Sequence, residues 1–359
     1  MSTPLKSDEK KKIIESAWHL EDTSEVPFVI EIGPFHGATK PFFDDPASEV
    51  KWNEDLHRMR EGIYDYGSPN IKPNQGIGIV AAAFGCAYTV NDEADPWIKP
   101  IIREENAADV YKLEIPDPEK NEIFKKVWKR IESLEALSSM PLRMVNVPSP
   151  LVTASMIWDY TSFIECLLIC NDEAHALLEK VTEATIIYIR EQFRRIKNLF
   201  SVGHESSCPI PRFAGVRVSD DTAALLSPDL YREFGVKYLN KISREFGGVV
   251  VHSCGDVQYV VPAMTEIEGL KGLDFTIPQV MNWEAVRDAA AGKVVLCLRH
   301  RYWDHIADSG SGIVPVDLAE YSMKLVDTFG SRGIIIETST ALPEEARALG
   351  EKLHRCLSK

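Results

Sequence analysis

From about residue 240 onward the chain alternates short apolar, β-branched runs with longer stretches whose apolar residues recur every three or four positions. The runs 248–252, 272–276, 293–297 and 333–337 are nearly continuous in Val, Ile, Leu and Phe, which predicts parallel strands covered on both faces. Residues 318–328 and 343–357 predict helices, the second with Pro343 near its start. This is the cadence of repeated βα units. The first half is less regular: 27–32, 77–82 and 142–147 are strand candidates and 172–199 predicts a long helix. Ser227-Pro228-Asp229 has the form of a cap, a first-turn proline and an acidic first turn. No linker and no internal repeat is found. A single (β/α)8 TIM barrel over 1–359, with an N-terminal helical extension, explains this pattern better than an open sheet. No G-x-G-x-x-G follows a strand, and no P-loop sequence occurs.

Composition narrows the function classes. With 45% hydrophobic and 26% charged residues the chain is ordinary for a globular protein. A formal net charge of -14 argues against nucleic acid, whose phosphates need clustered Lys and Arg. Lys10, Lys11 and Lys12 read as the solvated face of a first helix. The start is polar, and no run approaches the roughly 20 apolar residues that span a bilayer, so a cytoplasmic protein is expected. Seven scattered cysteines fit reduced thiols rather than a disulfide framework.

His252 and Cys254 close the apolar run 249–251 and stand two apart, so on a strand both side chains point to one side. Two readings follow: ordinary occupants of a barrel interior, or a converging imidazole and thiolate, a pair that favours zinc. A catalytic zinc takes three protein ligands and keeps one position open. Glu337, closing the last recognisable strand, is the first choice for the third, with Cys297 as its rival. Asp256 is expected to be a turn or cap residue.

The segment 213–231 (FAGVRVSDDTAALLSPDLY), then 251–255 (VHSCG), then 333–339 (GIIIETS) resemble the uroporphyrinogen decarboxylase-like superfamily, and within it the corrinoid-dependent methyltransferase branch. Tyr64-Asp65 and residues 76–85 match an early segment more weakly. The resemblance implies a (β/α)8 barrel, a zinc ion on the His-x-Cys pair plus a ligand from the last strand, and a separate corrinoid (cobalamin) protein docking over the barrel mouth. The family's usual third cysteine falls in 337–339, which contains none; Glu337 is the nearest competent replacement. True uroporphyrinogen decarboxylases hold their substrate with an N-terminal Arg-rich segment, and here no arginine precedes Arg58.

A His/Cys/Glu set is less electron-donating than one with two thiolates, which favours polarising an ether oxygen over delivering a thiolate. The expected activity is therefore zinc-dependent transfer of a methyl group from a methoxylated, aromatic compound to the cobalt(I) of a corrinoid protein. The alternatives are transfer from a methylcorrinoid to a thiol or tetrahydrofolate, and decarboxylation of the uroporphyrinogen type. Expected partners are the corrinoid protein and a small-molecule methyl donor, without nucleic acid or membrane; a homodimer is left open. Trp158 and Tyr160 are candidates to stack on a substrate ring or to be core, and Asp65 and Asp221 to orient it or feed a proton to the leaving oxygen. Asp220 and Asp221 equally fit a helix-capping pair. His300, His305 and His36 fit loops near strand ends.

Overall fold

The structure is a computed structural model, and it describes residues 6–33, 44–90, 96–204, 206–276, 280–300 and 317–358. Eight parallel strands form its centre: β1 Phe28–Ile32, β2 Leu142–Arg143, β3 Leu199–Ser201, β4 Val216–Ser219, β5 Val249–Ser253, β6 Leu270–Phe275, β7 Val295–His300 and β8 Ile334–Thr340. Six are joined in the order β1-β8-β7-β6-β5-β4, every pair parallel. β2 pairs with β3, Leu142 opposite Leu199. Short bonds join the two groups into a ring. On one side Arg217 N–H donates to Val202 O at 3.2 Å and Ser219 N–H to Val147 O at 2.9 Å. On the other, residues 65–71 bridge β1 and β2: Tyr66 N–H donates to Phe28 O and Arg143 N–H to Ile71 O, both at 2.9 Å. The (β/α)8 barrel expected from the sequence is the observed fold.

The late strands and helices lie where the hydrophobic pattern puts them, with helices at Leu318–Phe329 and Pro343–Leu357. Ser227 caps its helix by accepting the Leu230 N–H, with Pro228 in the first turn. The segment 77–82 is a correction: it contributes to a helix, Ile79–Ala83, every residue of which is buried. A short apolar run buried all round has no face to reveal its period. The helix expected over 172–199 is Asn171–Arg195, after which Leu199–Ser201 enters the sheet.

Two features shape the interior. The connection from β3 to β4 folds back, with Val202 N–H donating to Ile210 O, and sets Ser206, Cys208, Pro209 and Ile210 beside Trp18, Cys297, Ile335 and Glu337. Trp18 ends the helix Ser7–Trp18. The C-terminal helix is tied down through buried Glu25, which accepts from Tyr66 Oη at 2.6 Å and lies 2.7 Å from His354 Nδ1.

Candidate metal centre

β5 ends as its sequence demands. Val249, Val250 and Val251 are buried in the sheet, His252 is the last inward-pointing residue, and the chain leaves the strand at Ser253. The i, i+2 relation brings His252 Nε2 to 3.1 Å from Cys254 Sγ. Neighbouring β4 ends at Ser219, opposite His252, and the next turn carries Asp221 to the same place. There Asp221 Oδ1 accepts the Cys254 N–H at 2.6 Å. Ligand atoms of Asp221, His252 and Cys254 all lie within 4.8 Å of one another. Thr276 Oγ1 is 3.5 Å from the sulfur.

Beneath this group runs a buried polar chain. His252 stands opposite Asp274 on β6, and its Nδ1 is 3.1 Å from Asp274 Oδ2. Asp274 also accepts from Arg217 Nε at 2.8 Å and from Arg299 Nε and Nη2 at 2.5 and 2.8 Å. Burial pushes the Asp274 carboxyl up, but Arg299, His252 and Arg217 together hold it well below the usual range. Burial, then Arg217, push the His252 imidazole below its ordinary value, against the pull of Asp274. A neutral imidazole is the form that binds a metal.

The fit to zinc can be judged from donors alone. One nitrogen, one sulfur and one oxygen converge at strand ends of the barrel, in a group of three that leaves a position for substrate. Zinc with bonds of about 2.0–2.3 Å spaces tetrahedral ligand atoms by roughly 3.3–3.8 Å. The 3.1 Å between His252 and Cys254 must open slightly, and the widest separation, within 4.8 Å, must close by about 1 Å to match. These residues fit the ion.

The other residues singled out from sequence are elsewhere. Glu337 is a correction: its carboxylate accepts from Arg299 Nη1 at 3.0 Å, at the far end of the polar chain, and the group that converges on His252 and Cys254 contains Asp221 instead. Cys297 faces the internal cavity with Glu337, its thiol pushed well up by burial. Asp65 is a tie within the fold. It accepts the backbone N–H of Ile30 at 3.0 Å and of Gly67 at 3.1 Å and pairs with Arg60. Trp158 is fully buried against Phe163, and Tyr160 begins a surface helix, 46% exposed. Neither lines the cavity over the metal group.

Asp220 and Asp221 are no capping pair. Asp220 makes no side-chain cap; it accepts from Ser149 Oγ at 2.6 Å and Tyr231 Oη at 2.8 Å, and burial pushes it up to about 6. Asp256 does serve a turn, accepting the Gln258 N–H. His36 and His305 lie outside the described residues, as does the His300 side chain. Asp274, Arg217 and Arg299 went unnoticed in the sequence. Charged residues inside apolar strand runs were the available signal.

The cavity over the metal group holds about 550 Å³ including its mouth, and is lined by Ile77, Asn146, Pro148, Val152, Ser219 and Thr276 besides the three ligand candidates. Among the described residues no helix is long and apolar enough to cross a membrane.

Comparison with known proteins agrees with this architecture. The family model for uroporphyrinogen decarboxylase (URO-D) matches residues 65–200. A curated uroporphyrinogen decarboxylase from Campylobacter concisus (strain 13826) is 29% identical over a 187-residue alignment, covering 44% of this chain and 49% of the relative. The match thus spans about half the length of that relative. A solved methyltransferase from Methanosarcina mazei superposes with a TM-score of 0.68 over 96% of this chain and 98% of its own, at 17% identity. That likeness is one of fold. Residues 65–200 thus match the uroporphyrinogen decarboxylase family model, and the whole chain shares the barrel fold of the methyltransferase.

Proposed function

We propose that the protein is a zinc-dependent methyltransferase that moves the methyl group of a methoxylated aromatic compound to the cobalt(I) of a separate corrinoid protein. The observation that carries this reading is the convergence of Asp221, His252 and Cys254 at the strand ends, where barrel enzymes keep their chemistry. When bound, zinc supplies Lewis acidity toward an ether oxygen, which eases departure of the alkoxide or phenoxide. His252, Cys254 and Asp221 would hold it. With one thiolate in place of two, the set donates fewer electrons and leaves more charge on the metal side of that bond.

The walls suit a neutral substrate. Ile77, Pro148 and Val152 offer apolar contact, and Asn146, Ser219 and Thr276 offer neutral hydrogen bonding. No Lys or Arg is among these described lining residues, and Arg217 and Arg299 are turned to Asp274. Among these described residues none would offer a substrate rich in carboxylates a counter-charge; only the metal would. Decarboxylation is the second reading, favoured by the match of residues 65–200 to the decarboxylase family.

The test uses zinc-loaded protein, free cob(I)alamin as the acceptor and a set of methoxylated aromatics as donors. Formation of methylcobalamin, followed by its absorption, is the expected result, with loss of at least about 100-fold in the Cys254→Ala variant. Release of carbon dioxide from uroporphyrinogen without methyl transfer overturns the proposal in favour of decarboxylation. Methyl transfer only from methylcobalamin to a thiol or tetrahydrofolate overturns the proposed direction.

A further inference from the structure

An imidazole can present a bare Nε2 to a metal only if its proton sits on Nδ1 and its ring is kept from turning. Nδ1 of His252 is buried, and Asp274 Oδ2 lies 3.1 Å from it. The N–H does not point straight at that oxygen, and the contact is an ion-pair distance rather than an aligned hydrogen bond. Asp274 itself has little freedom. Arg299 grips both of its oxygens, Arg217 Nε holds Oδ2 from the opposite side, and the residue is wholly buried on β6. Arg299 is anchored in turn by Glu337 on β8. Four side chains, from β4, β6, β7 and β8, therefore form a chain that ends on one nitrogen of His252.

We infer that Asp274 is a positioning residue for the metal centre: it fixes the His252 tautomer and ring orientation so that Nε2 faces Cys254 and the site between them. Arg217 and Arg299 keep the carboxylate in the required rotamer, and Glu337 acts at the far end of this chain and not on the metal. The inference rests on the metal site proposed above.

The experiment measures zinc affinity by chelator competition for the wild type and Asp274→Asn, with urea unfolding of both metal-free proteins alongside. Affinity is expected to fall about 10- to 100-fold. In cobalt(II)-substituted protein the Cys254 thiolate charge-transfer band should persist while the ligand-field bands shift, which a merely structural loss would not produce. Equal affinity in the two proteins overturns the inference. Should Asp274→Asn fail to fold, imidazole ¹⁵N spectra of metal-free wild type decide: a protonated Nδ1 with a bare Nε2 supports it, and the reverse tautomer overturns it. A wild type that binds no zinc sinks the metal reading, while the tautomer still reports whether Asp274 orients the ring.

Discussion

Buried carboxylates cost free energy unless charge and hydrogen bonds surround them, and this protein answers that demand in different ways. Asp274, between Arg217 and Arg299, is held well below the usual range. Asp220 has only the hydroxyls of Ser149 and Tyr231 and is pushed up to about 6. Glu49 lies between: it pairs with Arg130 at 2.8 Å and accepts the Asn74 N–H at 2.7 Å, yet burial outweighs both and pushes it up to about 7. Its raised value means that the folded state keeps a proton the unfolded chain has already lost. The stability that Glu49 contributes is therefore complete below about pH 4.5 and is lost as pH rises through about 7. Relative to Glu49→Gln, the wild type should lose up to about 3 kcal/mol of unfolding free energy across that window. Urea unfolding at pH 4.5 and pH 8 checks this; a difference that stays flat or grows with pH contradicts it.

At the scale of elements, backbone contacts decide what side chains can occupy. Gly215, at a φ of 89°, leads into β4 where it meets the start of β5: a Cβ there would stand 1.8 Å from Gly248 O. Gly215→Ala must push two barrel strands apart and should cost about 3 kcal/mol. Gly247→Ala is the control. Its φ of 78° is equally left-handed, but nothing lies within 4 Å, so strain alone should cost about 1 kcal/mol. Thermal unfolding separates the two, and equal losses would refute the close approach of β4 and β5.

The same scale explains what could be read in the sequence. His252 and Cys254 were legible because β5 ends where its apolar run ends. Glu337 and Cys297 lie deeper than the apolar pattern implies: the apolar runs stop at 337 and 297, but the strands continue to Thr340 and His300. Three residues of strand are about 10 Å, enough to move a side chain from the mouth to the interior. Polar residues such as Arg299 and Thr338 hid the extension, because buried ion pairs inside a barrel do not look like strand. The approach of Asp221 to His252 and Cys254 is not legible in the sequence, since convergence of two strand ends depends on register between β4 and β5, which no local pattern encodes.

For the whole molecule, the parallel barrel was legible from the spacing of its late strands, and its first half was not. β2 and β3 are only two and three residues long, and the ring closes there through residues 65–71 and isolated bonds rather than full ladders. The division of labour is nevertheless clear. The interior holds paired charges that support the frame, and the strand ends hold a nitrogen, sulfur and oxygen donor in one small cavity. Whether those three atoms bind zinc decides the function. Metal analysis of the purified protein should find close to one zinc per chain in wild type, Glu337→Gln and Cys297→Ala, and little in His252→Ala, Cys254→Ala and Asp221→Ala. Absence of zinc from the wild type, or its retention by Asp221→Ala and loss from Glu337→Gln, would contradict the account.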